Sequence, residues 1–192
     1  MARRKEKTLN RDEVLREAFV LLDQRGLAGL SMRALAERLD VQAPALYWHF
    51  SDKAELTSLM TRAIYDEARS AVTSGGMASD WLLAYGRALH HRLATQRDAA
   101  RLCVNAVPLE PSSKDAASSI ALPLTTRGME SEAALEAIGS VTSLALGWAS
   151  FEANGPMHAF LEDIIDIDRS FERGLQALVL GLNAGIQIQP ST

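Results

Sequence analysis

Between Ser31 and Lys53 the chain sets out side chains whose chemistry suits a polyanion: Ser31, Arg33, Gln42, Tyr47, Trp48, His49 and Lys53, with Ala43, Pro44 and Ala45 among them. Cationic, hydroxyl and ring N–H groups hydrogen-bond phosphate oxygens and fix register, whereas a primary amide addresses a base edge. Arg33, Tyr47, Trp48, His49 and Lys53 would face phosphates, together with the open amides of the helix beginning near Ala43. Gln42, Ala43 and Ala45 would lie near bases. The competing reading makes Tyr47, Trp48 and Phe50 the core aromatics of a helical hairpin.

Those residues need elements to hold them. Over 10–25, Val14, Leu15, Ala18, Phe19 and Leu22 recur at helical spacing, with Asn10 as N-cap, Glu13 three residues on and Gly26 as stop. Ser31 caps a second, short helix with Leu35 and Leu39 inward, which runs out at Asp40. A third, over about 43–49, starts at Gln42 and tolerates Pro44 in its first turn. Ser51 caps a fourth, expected to continue to about Thr73, where Ser74, Gly75 and Gly76 break it. Two short helices around a tight turn are the parts of a helix-turn-helix unit, whose second helix enters the major groove of DNA. Ala36 is small where the pair would cross, and Val41 and Leu46 would pack the turn.

Further helices are expected at about 79–95, 97–105, 113–126, 131–153 and 167–186, punctuated by Pro108, Pro111, Gly128, Gly155 and Pro156. No window alternates as a half-buried strand does, so the fold class is all-α. The domain boundary falls inside the fourth helix, near Tyr65. Residues 1–69 would form the helix-turn-helix head and 70–192 a larger effector-binding and dimerisation domain. At 192 residues, 47% hydrophobic and 23% charged, the chain is neither collagen-like nor disordered. The net charge of −4 is uneven: residues 1–69 hold 12 Lys or Arg against 11 Asp or Glu, and 70–192 hold 8 against 13. A basic arm of Arg3, Arg4, Lys5, Lys7 and Arg11 thus precedes an acidic body, which suits a DNA-contacting head. Lone Cys103 cannot form an intrachain disulfide, and no secretory apolar stretch follows Met1, so a cytoplasmic protein is expected. The apolar stretch 134–151 is interrupted by Glu136, Ser140, Thr142 and Ser143, and reads as a buried helix rather than a membrane span.

The run Leu35, Ala36, Leu39, Val41, Pro44, Leu46, Tyr47, Trp48, His49, Phe50, Lys53 and Leu56 resembles the DNA-binding domain of the TetR family of bacterial regulators. The likeness covers about residues 8–69. It continues more weakly at Gln96, Arg97, Asp98, Ala99 and Ala100, and at Leu146, Gly147 and Trp148, which resemble the tetracycline-repressor subgroup. The resemblance implies a homodimer of all-α subunits, each head reading half of a palindromic operator and each body enclosing a pocket whose effector releases the DNA. Arg33, Pro44, Tyr47, Trp48, His49 and Lys53 match the family's DNA-contacting pattern. Ala43 and Ala45 depart from it, because the subgroup commonly has polar residues there, so the operator differs. Asp40 stands where the turn more often has Gly. Tetracycline-binding members hold a magnesium chelate by a histidine at the position of Cys103 and a glutamate near Phe151 and Glu152. Magnesium wants oxygen ligands and is a poor match for thiolate, so tetracycline is not the expected effector.

Trp81, Tyr85, Leu89 and Arg92 or Leu93 share one helical face, and Trp148, Phe151, Glu152 and Gly155 cluster near the end of another helix. With Cys103, Trp81, Tyr85, Leu89, Trp148, Phe151 and Glu152 form the candidate effector site, suited to an apolar or aromatic small molecule. Core or dimer packing explains each singly as well. His90, His91, Cys103 and His158 invite a metal reading, but adjacent helical positions point about 100° apart; no metal or cofactor is expected. Cys103 on an apolar stretch suits inert packing better than a redox sensor, although a redox-sensing or interaction protein is the alternative function. The helices at 131–153 and 167–186, with Gly139, Gly147, Gly174 and Gly181 permitting close approach, would make the dimer interface. No phosphate loop, HExxH or GxSxG is present, and Glu162, Asp163, Asp166 and Asp168 read as a solvated acidic run, so neither catalytic residues nor enzymatic activity is expected. The expected partners are operator DNA, an effector and a second copy, with no membrane.

Overall fold

Asn10 begins the first helix by accepting the Asp12 amide on Oδ1 at 3.0 Å, as its position before an apolar-periodic run requires. The computed structural model describes residues 9–72, 75–109 and 114–186. Helix α1 (Arg11–Gly29) buries Val14, Ala18, Leu21 and Leu22 and is kinked at Gly26, where φ is 66° and ψ 178°. Helix α2 (Met32–Leu39) is capped by Ser31, whose Oγ accepts the Ala34 amide at 3.1 Å. It ends at Asp40, which takes the left-handed conformation and returns its amide to the carbonyls of Ala36 and Glu37.

Helix α3 (Ala43–Leu46) is a single turn, shorter than the expected 43–49, because the Leu46 carbonyl accepts the amides of both His49 and Phe50 and closes the helix. Leu46 and Phe50 are buried beneath it. Helix α4 (Lys53–Ser70) follows. Its cap is Asp52 rather than the expected Ser51: Asp52 Oδ1 accepts the Glu55 amide at 2.8 Å, while Glu55 Oε2 accepts the Ser51 amide at 2.6 Å. This reciprocal arrangement satisfies two donors that an isolated helix start leaves open.

Among the described residues six more helices follow: α5 (Ala78–Thr95), α6 (Ala99–Val104), α7 (Lys114–Thr125), α8 (Ser131–Glu152), α9 (Gly155–Glu162) and α10 (Ile167–Ile186). Among the described residues there is no strand, and the fold is all-α. Helix α6 starts later than expected, since Asp98 sits in the left-handed region at φ 56°. Helix α9 was not expected: Gly155 and Pro156 read as punctuation, yet Asn154 caps the Met157 amide and Pro156 occupies the first turn, where its missing N–H has no intrahelical partner to lose.

The chain divides into two compact units, one of Met1–Ala63 with Gln96–Leu109, the other of Ile64–Thr95 with Glu110–Thr192. In the second, α8 packs against α5, α7 and α10, and α5 also meets α10. Gly86 permits this approach: a Cβ there would lie 2.7 Å from Leu175 Cδ1 and 2.9 Å from Val141 Cγ1. Among the described residues, α8 is the helix long and apolar enough to cross a membrane.

Candidate nucleic-acid interface

The head sorts its aromatic run by local geometry. Leu46 and Phe50, four apart on a tight turn, are 0% and 1% exposed, whereas Tyr47 is 53% and Trp48 89% exposed. Phe50 alone of the three aromatics is a core residue. An indole this open gives up the burial that normally stabilises it and is available to a partner. His49 is half-buried and tilted against Phe50 at 6.3 Å between ring centroids, and Lys53 is exposed at the start of α4.

Gln42 occupies the N-cap of α3, exposed and without a side-chain capping bond, so its amide is open. Pro44 is exposed and Ala43 and Ala45 are half-buried. Ser31 is exposed, with its hydroxyl engaged in capping α2. The two arginines of α2 are treated differently. Arg38 binds Glu17 through Nε at 2.5 Å and Gln24 through Nη1 at 3.0 Å, fastening α2 to α1. Arg33, its side chain 89% exposed, donates only Nε, to Glu37 Oε1 at 3.1 Å. Arg11 binds Glu55 at 2.9 Å and lies 5.4 Å over the Phe50 ring. The Ser51 amide holds the Glu55 carboxyl below its usual range, and Arg11 acts in the same direction. Arg3, Arg4, Lys5 and Lys7 lie outside the described residues.

The first unit also contains a tie that local sequence patterns do not reveal, because its partners lie more than seventy residues apart. Gln96 Nε2 donates to Asp23 Oδ1 at 2.5 Å; Arg97 Nη1 donates to the carbonyls of Asp23 and Gln24, each at 3.2 Å; and Asp98 Oδ2 accepts the Leu27 amide at 2.7 Å. Together they fix the start of α6 to the kinked end of α1. Cys103 is buried on α6 in this unit.

The other effector candidates belong to the second unit. Trp81 stacks on Tyr85 at 5.0 Å, the Tyr85 hydroxyl lies 3.0 Å from Thr142 Oγ1, and Leu89 is fully buried. Trp148 is half-buried and Phe151 exposed. Glu152 Oε1 meets His90 Nε2 at 2.8 Å, and the His90 ring stacks on Phe171 at 3.8 Å. His90 is thus the partner of Glu152, which sequence spacing missed because the two sit on different helices. His91 is exposed, and His158 pairs with Glu162 at 3.1 Å. Among the described residues no group of three or more His, Cys, Asp or Glu is gathered to hold a metal ion. On α8 and α10, a Cβ added at Gly139, Gly147 or Gly181 would meet nothing within 4 Å, and Leu180 is 69% exposed.

A family model described as bacterial regulatory proteins, tetR family, matches residues 14–59. The tetracycline repressor protein class A from transposon 1721, of Escherichia coli, is 30% identical over 197 residues, spanning 91% of this chain and 90% of that protein. Among solved structures, a variant of TetR from Acinetobacter baumannii AYE in complex with minocycline has a TM-score of 0.76 at 29% identity, covering 93% of this chain and 99% of that one. BioQ with its natural double-stranded DNA operator has a TM-score of 0.67 at 28% identity, covering 92% of this chain and 99% of that one.

Proposed function

The chain belongs to the tetR family of bacterial regulatory proteins and is a ligand-responsive, DNA-binding transcription regulator, and we propose that it is a repressor released from a palindromic operator by a small molecule. The observation that carries this reading is the exposure of Tyr47 and Trp48 beside the buried anchors Leu46 and Phe50, with Lys53 following. Phosphate contacts from Tyr47, Trp48, His49 and Lys53, with Ser31 and the first amides of α3, set the register. Gln42 lies near base edges, where Ala43, Pro44 and Ala45 permit close approach, and Arg33, expected from the sequence to face phosphates, is assigned instead to a base edge because Glu37 engages only its Nε.

Two copies pair through α8 and α10, whose open glycines and exposed Leu180 leave an apolar face for a partner, and the two-fold axis matches operator symmetry. The effector is apolar or aromatic, bound in the second unit near Trp81, Tyr85, Leu89, Trp148, Phe151 and Glu152. A magnesium-chelated tetracycline does not fit: Cys103, where the tetracycline-binding members carry histidine, is a buried soft thiol and a poor ligand for a hard cation. The protein acts in the cytoplasm and catalyses no reaction.

Selection of bound DNA from a random pool at stepped salt concentrations tests the reading. Enrichment of a palindrome whose affinity falls steeply with salt is expected; absence of enrichment at low salt refutes it. Tyr47→Ala and Lys53→Ala weaken operator binding while leaving dimer and melting temperature unchanged, and Lys53→Ala lowers the salt slope by about one. Equal loss of folding in both variants returns these residues to the core.

A further inference from the structure

We propose that Glu37 is a positioning residue for base recognition, holding Arg33 by its Nε so that the outer edge of the guanidinium is presented to a guanine in each half-site. This rests on the DNA-binding reading above. A guanidinium carries five N–H donors in a rigid fork. In Arg33 the Nε edge is held by Glu37 Oε1 at 3.1 Å, and among the described residues Nη1 and Nη2 carry no partner. Two parallel donors of this kind match the O6 and N7 acceptors of guanine in the major groove. Arg38, on the same helix, has both Nε and Nη1 engaged by α1 and cannot offer that fork.

Three observations favour a positioning role over an idle ion pair. Both side chains are open, 89% and 57% exposed, and exposed pairs one turn apart add little to stability; the order Arg then Glu is also the weaker one for the helix itself. A carboxylate on a helix that faces phosphates opposes binding, so without a use Glu37 only weakens affinity. Helix α3 itself offers Ala43, Pro44, Ala45 and Leu46, none with a side chain that hydrogen-bonds a base edge, so discrimination rests on Gln42 at its N-cap and on Arg33. Restraining a long flexible side chain before binding lowers the entropy lost on contact.

The test is a base-by-base binding profile of the full-length protein on single-substitution variants of its selected site, with wild type, Arg33→Lys, Glu37→Ala and Glu37→Gln compared. One G·C pair per half-site is expected to be preferred about tenfold or more by the wild type, the range of a bidentate arginine contact. Arg33→Lys abolishes that preference. Glu37→Ala lowers it by about two- to tenfold, the cost of ordering one more flexible side chain on contact, while affinity for non-specific DNA holds or rises, and Glu37→Gln, which keeps an acceptor for Nε, restores most of it. Uniform tightening by Glu37→Ala with every base preference intact overturns the proposal and makes Glu37 a repulsive bystander. Unchanged preferences in Arg33→Lys overturn it too, with DNA binding itself intact. If the wild type enriches no sequence, the DNA-binding reading fails with it.

Discussion

Gly26→Ala tests how the first unit is held together. Gly26 has φ 66° and ψ 178°, a region that side chains other than hydrogen essentially never enter, at a cost of about 1–3 kcal/mol. The added methyl would lie 2.8 Å from Asp98 Oδ2 and 3.3 Å from Arg97 Nε. Asp98 cannot withdraw freely, because that oxygen accepts the Leu27 amide at 2.7 Å, and a part-buried amide left without an acceptor costs about 1–3 kcal/mol. Together these predict a loss of about 2–6 kcal/mol, a large share of the roughly 5–15 kcal/mol that holds a domain folded. Native-state hydrogen exchange of α1 and α2 amides reads the loss directly without assuming that both units unfold together. A cycle with Asp98→Ala separates the terms: the backbone cost persists in that background, and the contact cost disappears. A loss below about 1 kcal/mol for Gly26→Ala would refute the reasoning, since neither term alone is that small.

Asp40→Ala should lower the melting temperature of the head, worth about 1–2 kcal/mol, because Asp40 holds φ 57° and ψ 42° at the end of α2, a left-handed conformation that aspartate tolerates better than alanine; an unchanged or higher value counts against it. Gly86→Ala should destabilise the second unit by about 1–3 kcal/mol through overpacking against Leu175 and Val141, measured by urea unfolding. Hydrogen bonding to Arg87 lowers the Glu172 carboxyl below its usual range, so its contribution is present above the unfolded carboxyl pKa near ~4.3 and is lost as pH falls through the folded value. Thermal melts should therefore show Glu172→Gln less stable than wild type at pH 7, by only a few tenths of a kcal/mol for so exposed a pair, with the difference closing in acid; a pH-independent difference contradicts this.

Where an element is fixed by neighbours in sequence, the sequence discloses it. Asn10 and Ser31 cap as expected, and Gly26 stops the regular part of α1, because cap and stop chemistry acts within about one turn. The same locality explains the losses. Gly155-Pro156 after a long helix reads as a terminator, yet with Asn154 before it the pair also starts a helix, and Pro permits both readings. Gly86 in mid-helix looks only unfavourable by propensity; its value lies in Leu175 and Val141, which distant helices bring to it.

The two candidate sites differ in legibility for the same reason. In the head, Leu46 and Phe50 commit one side of a short turn to the core, so Tyr47 and Trp48 between them must point elsewhere. In the body, Trp81, Tyr85 and Leu89 share a helical face whether that face lines a ligand or fills a core, since periodicity reports direction and not what lies opposite. Here Trp81 covers Tyr85, and the Tyr85 hydroxyl is satisfied by Thr142. Glu152, the one carboxylate in the set, is satisfied by His90, itself stacked on Phe171. An effector that addresses Glu152 must therefore displace the imidazole or share the carboxylate with it, and displacing it leaves a buried ring nitrogen in need of another partner. A ligand with an apolar body that leaves this pair intact avoids that cost, which is the physical ground for expecting an apolar or aromatic effector.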